Sequence, residues 1–123
     1  MEKYIAVALG GALGALFRLA VGEWVMAKVE SFPYGTIVVN LIGCLIIGLI
    51  LGIYMQKPDI PQWLRFFLVV GGLGAFTTFS TFAFEMLQLM MAESYVQAIW
   101  YGGLQVIGGL ILCWIGLIAA RVF

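Results

Sequence analysis

The chain has 123 residues, of which 64% are hydrophobic and only 10% charged, and its six Lys and Arg balance its six Asp and Glu. A soluble domain carries about 25% charged residues, so this composition places the chain in a lipid bilayer. Zero net charge excludes a basic footprint for nucleic acid, and the lack of any histidine removes the commonest metal ligand and the commonest general base.

The first apolar span runs from about Tyr4 to Ala27. Met1-Glu2-Lys3 leads straight into it with no clear small-residue cleavage site, so it reads as a retained helix rather than a removed signal peptide. Arg18 lies deep enough in this span to need a partner or a route for its guanidinium to the interface. A short polar loop, Lys28 to Pro33, precedes the second span, from about Tyr34 to Met55, which carries Asn40. The loop from Gln56 to Gln62 holds two prolines and Asp59. The third span extends from about Trp63 to Met91 and the fourth from about Val96 to Ala120. Each exceeds the ~20 residues needed to cross a bilayer. Loops this short force neighbouring helices to pack antiparallel, so residues 1–123 are expected to form one all-α, four-span membrane domain. The glycine pairs Gly10/Gly14 and Gly48/Gly52, and Gly102, Gly103, Gly108, Gly109 and Gly116 of the fourth span, suit close helix approach. Cys44 and Cys113 have no metal-type spacing and read as packing residues.

The third span is too long for one straight helix at ~1.5 Å per residue. It holds Gly71, Gly72 and Gly74 just before Thr77-Thr78. Glycines followed by hydroxyl residues can end one half-helix and cap another, which predicts a break near residues 74–78. Broken backbone at that depth is tolerated only where protein or a cavity satisfies its polar groups. The stretch Gly71 to Glu85 adds an aromatic pair, hydroxyls and a carboxylate inside an apolar segment. Such a patch is unsuited to a lipid-facing surface and points to an ion-conducting protein rather than an enzyme.

Several residues can carry that chemistry. Asn40 offers two donors and an acceptor, and in lipid it must face another helix or a pore. Phe79 and Phe82 share a helix face, and their electropositive ring edges can favour an anion in a narrow dry path. Ser80 and Thr81 lie between them, and Glu85 is one turn beyond Phe82. A fixed Lys or Arg in such a path would trap a small anion that must also leave. Tyr101 and Gln105 share a face of the fourth span and are weaker pore-lining candidates.

With an even number of spans, Lys3, Lys57, Arg65 and Arg121 lie on one side and Arg18 and Lys28 on the other. So weak a bias allows insertion in both orientations. Four tight helices leave little room for an aqueous path inside one copy, so transport implies an oligomer, and an antiparallel dimer is the simplest closed one.

Three segments together carry a family resemblance: Gly10 through Arg18; Gly35-Thr36 through Asn40 and Gly43; and Gly74 through Glu85 with its Thr-Thr-Phe-Ser-Thr-Phe core. Over essentially its whole length the chain resembles the Fluc-type fluoride channels, the family also called CrcB. That resemblance implies an antiparallel, dual-topology homodimer in the inner (plasma) membrane of a prokaryote, with a broken third helix and two pores for passive fluoride export. It also implies roles for single residues. Asn40 matches the pore asparagine, Phe79 and Phe82 the aromatic box, Ser80 and Thr81 the polar track, and Glu85 the acid near its end. Arg18 matches the basic residue of the vestibule. Gly74 and Thr77 match the break positions whose carbonyls hold a structural sodium ion on the dimer axis. The chain departs from the family in the fourth span, where Gly109 stands at the place of a small hydroxyl, with Gln105 one turn earlier. The alternative is a proton-coupled small multidrug exporter, which needs an acid in the middle of the first span. None lies between Glu2 and Glu23.

Overall fold

The structure is a computed structural model and describes residues 1–123. It contains helices and no strands, and four of its helical stretches are long and apolar enough to cross a membrane: Glu2–Met26, Tyr34–Gln56, Gln62–Met91 and Tyr95–Val122. The protein is a multi-pass membrane protein on this architecture. Helix α1 is Glu2–Met26 and α2 is Tyr34–Gln56. The third stretch is a succession of short pieces: α3 (Gln62–Arg65), a π-helix (Phe66–Leu73), α4 (Gly74–Phe76) and α5 (Phe79–Met91). Helix α6 (Tyr95–Ala119) ends in a 3₁₀ turn, Ala120–Val122.

The backbone says why the third stretch is segmented. Thr77 (φ −83°, ψ 160°) and Thr78 (φ −150°, ψ 111°) are both extended, so α4 stops and α5 restarts after them. Thr77 closes the first piece by bonding the Leu73 carbonyl through both its N–H (3.0 Å) and its hydroxyl (2.9 Å). Thr78 opens the second piece as its N-cap, its Oγ1 accepting from the Thr81 N–H at 3.3 Å. The turn between α5 and α6 has a left-handed residue, Glu93 (φ 58°), and the Ser94 N–H reaches back to the Leu89 carbonyl at 2.9 Å, as at many helix C-termini.

Two close approaches hold the bundle together, and both need glycine. Helix α1 lies against the π-helix so tightly that a Cβ on Gly14 would stand 2.0 Å from the Gly72 carbonyl oxygen. Helix α2 lies equally close to α6, where a Cβ on Gly48 would stand 2.1 Å from the Cys113 carbonyl oxygen. Backbone contact of this kind gives dispersion attraction between helices in a solvent where apolar burial drives nothing. Val39, Leu73 and Phe76 form the small buried centre, with Val21, Ile46, Ile47 and Ile50 packed around it. Only 21 of the 123 residues are buried, and large apolar side chains face outward along every span, as on Leu16, Ile107 and Leu110. That surface suits lipid or another apolar protein face.

Candidate functional site

The extended residues Thr77 and Thr78 are the hub of the polar side chains. Asn40, from the middle of α2, grips Thr78 by both backbone groups: its Oδ1 accepts the Thr78 N–H at 2.8 Å and its Nδ2 donates to the Thr78 carbonyl at 3.1 Å. The same Nδ2 donates to Gln105 Oε1 of α6 at 2.7 Å. Arg18 of α1 donates from Nη1 to the Thr77 carbonyl at 3.4 Å. Elements far apart in sequence thus converge on two backbone units that left their helix.

Two grooves meet at this hub. One, of about 460 Å³, is lined by Arg18, Glu23, Thr36, Thr78, Thr81 and Glu85 among others, so it is polar and carries both signs of charge. The other, of about 360 Å³, is lined by Asn40, Cys44, Thr77, Thr78, Phe79, Phe82 and Gln105, with apolar neighbours and no charged side chain. Thr78, itself buried, borders both.

Glu85 does not hang free in the first groove. It accepts from the Thr36 hydroxyl at 3.0 Å, and the hydroxyl of the fully buried Tyr101 donates to its other oxygen. Two neutral donors on the carboxylate fix its direction. Tyr101 also anchors an aromatic row. Phe82 stacks on it at 5.5 Å and 20° between planes, Phe79 follows at 5.7 Å from Phe82, and Phe32 meets the far side of Tyr101 edge-on at 5.8 Å. Phe79 ends the row 79% exposed.

The structure therefore brings together Arg18, Asn40, Phe79, Thr81, Phe82, Glu85, Tyr101 and Gln105 around the extended pair, with Gly74 and Thr77 on the wall of the second groove. Ser80 is exposed on α5 and lines neither groove. Three participants escape a reading of the sequence as site residues. Thr78 signals itself as a hydroxyl of the expected break, Thr36 as a hydroxyl one turn before Asn40 in a segment of the family resemblance, and Phe32, in a loop, gives no signal at all. No cluster of His, Cys, Asp or Glu side chains could hold a metal, so a cation here would need backbone carbonyls.

Residues 5–117 match the family model described as CrcB-like protein, Camphor Resistance (CrcB). The chain belongs to the CrcB-like family. Proteins named fluoride-specific ion channel FluC are similar to this CrcB-like chain over nearly their whole length. One from Pseudomonas syringae pv. tomato is 38% identical over 122 residues, 98% of each chain. One from Stutzerimonas stutzeri is 44% identical over 117 residues, 94% of each chain. A third, from Chloroflexus aurantiacus, is 41% identical over 124 residues, covering 100% of this chain and 98% of its own.

Proposed function

We propose that this CrcB-like protein is a fluoride-selective ion channel, not an enzyme, and that it lets fluoride leave the cytoplasm passively. The observation that carries this reading is the name fluoride-specific ion channel on relatives 38% and 44% identical over almost the full chain. The site's chemistry supports it. A small anion needs neutral donors and electropositive ring edges in a dry, narrow place, with no fixed cation to hold it there. The second groove offers amides, hydroxyls and two phenylalanine rings, and the only basic side chain nearby, Arg18, belongs to the first groove.

The working unit is an antiparallel homodimer in the prokaryotic inner membrane, inserted in both orientations, with two pores. A single copy leaves the second groove open on its side and Phe79 standing 79% exposed beside it. Lipid tails there would lie against the Gly74 carbonyl, which has lost its helical partner, whereas a second copy related by a two-fold would wall the groove with its own apolar surface. In this reading Arg18 draws the anion into the vestibule. Asn40, Phe79, Phe82 and Gln105 flank the narrow part. Thr81, Tyr101 and Glu85 form the polar track, and Ser80 joins it where the partner copy covers α5.

A structural sodium ion at the dimer centre belongs to the same reading, and the interrupted third span fits it. In a continuous helix the Thr78 N–H would bond the Gly74 carbonyl, and it goes instead to Asn40. The Thr81 N–H, which would bond the Thr77 carbonyl, goes to the Thr78 hydroxyl. Both carbonyl oxygens are thereby released from the helix, the Thr77 oxygen keeping only a long contact of 3.4 Å from Arg18 Nη1, and Gly74 lies exposed. Hard carbonyl oxygens suit sodium, and two copies would supply two from each.

The test is fluoride efflux from liposomes that hold the purified protein, with a potassium ionophore to dissipate voltage and chloride as the control. Fluoride release without chloride release is expected. A folded dimer that releases neither ion would overturn the channel reading, and proton-driven export of cationic drugs would then be the next activity to assay.

A further inference from the structure

The amide of Asn40 has no donor left for a passing ion. Its Oδ1 is taken by the Thr78 N–H, and its Nδ2 donates to the Thr78 carbonyl and to Gln105 Oε1. A primary amide has two N–H bonds, so both are committed inside the protein. Gln105 is in the opposite condition. Its side chain is about nine-tenths buried, its Oε1 is occupied by Asn40 at 2.7 Å, and its Nε2 has no hydrogen-bond partner. The Tyr101 hydroxyl is a neighbour of this amide, close to it but outside hydrogen-bond geometry.

The orientation is not free to reverse. The Thr78 N–H can only donate, which fixes Oδ1 of Asn40 toward it. Nδ2 of Asn40 must then face the acceptor of Gln105, and Gln105 must turn its Nε2 away. A single backbone amide thus leaves, through two side chains, a buried and unpaired N–H₂ on Gln105, a residue that borders the uncharged groove together with Phe79 and Phe82. Buried donors without acceptors are rare, and each calls for a ligand, a water or a functional cause.

We propose that the Gln105 Nε2 is the anion-binding donor of this groove, and that Asn40 is a positioning residue that aims it. This rests on the fluoride-channel reading and deepens it. The ligand class is a small, hard, monovalent anion that accepts hydrogen bonds. The Nε2 is closed to bulk solvent, so the ion must reach it with most of its water shell removed. A neutral amide, unlike an ammonium or guanidinium, binds such an ion without holding it, because it contributes a dipole rather than a net charge.

The experiment compares wild type, Gln105→Met and Gln105→Glu as purified full-length dimers. Two quantities are measured: the fluoride concentration that half-saturates efflux from liposomes, and the fluoride-dependent rise in thermal unfolding temperature in detergent. Gln105→Met keeps the length and loses the donor. Gln105→Glu keeps the acceptor for Asn40 and loses the donor. A lost hydrogen bond to a charged ligand corresponds to about a 10- to 100-fold weaker affinity. Both variants are expected to stay dimeric, to need about that much more fluoride, and to lose the fluoride-dependent stabilisation. Unchanged half-saturation and stabilisation in either folded variant would overturn the proposal and leave Nε2 facing a resident water or Tyr101. A wild type that conducts no fluoride and is not stabilised by it would overturn both this inference and the channel reading. A wild type that conducts, beside variants that behave as wild type, would overturn this inference alone.

Discussion

At the scale of single residues, Phe79 and Phe82 are chemically alike and structurally unlike. Phe82 is wedged in the row that ends at Tyr101, stacked at 5.5 Å, whereas Phe79 projects outward with 79% of its surface free. Replacing either by isoleucine keeps an apolar side chain of similar bulk and removes the electropositive ring edge. Both substitutions are expected to lower fluoride efflux by about 2- to 12-fold, the value of an aromatic contact expressed as a rate. Phe82→Ile also loses its stacking on Tyr101 and is expected to lower the unfolding temperature, while Phe79→Ile leaves it nearly unchanged. Efflux and thermal unfolding measured on the same preparations separate the two effects. Full flux in both variants would exclude the rings from the path.

Sequence reading reached these two phenylalanines because their spacing puts them on one helix face. It ranked Gln105 and Tyr101 below Asn40, and spacing alone holds nothing that would reverse that order. What raises them is a set of contacts between residues far apart in the chain. Asn40 meets Gln105 across 65 positions, and Thr36 meets Glu85 across 49. Thr78 was legible as part of the expected break and cap, but not as the residue whose backbone N–H and carbonyl hold Asn40, because that contact spans 38 positions.

At the scale of elements, the glycines separate into those that carry packing and those that do not. A Cβ at Gly14 would stand 2.0 Å from the Gly72 carbonyl oxygen, a distance that only separation of α1 from the π-helix relieves. At Gly103 a Cβ would meet nothing within 4 Å. Gly14→Ala is therefore expected to destabilise the fold by about 1–3 kcal/mol, the usual cost of overpacking. Gly103→Ala is expected to be neutral or slightly stabilising, since alanine is the better helix former. Chemical unfolding of the two variants in detergent tests the pair, and equal behaviour would refute the packing assignment. The same elements explain the π-helix. Its glycines, Gly71 and Gly72, sit where α1 presses hardest, and a Cβ on Gly71 would come within 2.6 Å of the Val7 carbonyl oxygen. Wide π-turns are common near functional sites, and this one delivers the chain to Gly74 and the extended pair. A sequence shows the glycines but not the widened turn, since the turn answers to the neighbouring helix.

At the scale of the whole molecule, one copy leaves two features open. Its second groove opens sideways, and its Gly74 faces outward with a carbonyl that no helical N–H claims. An antiparallel pair would close both features at once, and the basic residues, four on one side against two on the other, bias insertion only weakly. If sodium bridges the released carbonyls of two copies, it binds the dimer and not the separated chain. The dimer's unfolding temperature is then expected to rise with sodium concentration by mass action, with N-methylglucamine giving no such rise at equal ionic strength. An unfolding temperature that ignores the cation would exclude the ion from the assembly.

The sequence by itself determined the medium, the number of spans and the polar residues from which the candidate site is built. These depend on local quantities: hydrophobic run length, loop length, and the presence of polar residues where lipid would reject them. The tertiary structure alone decided which polar atoms are satisfied and which are left bare. That follows from packing, because α2 and α6 must touch before the Thr78 N–H can turn Asn40, and Asn40 can turn Gln105. A free donor is a remainder, known only after every other hydrogen bond has found its partner.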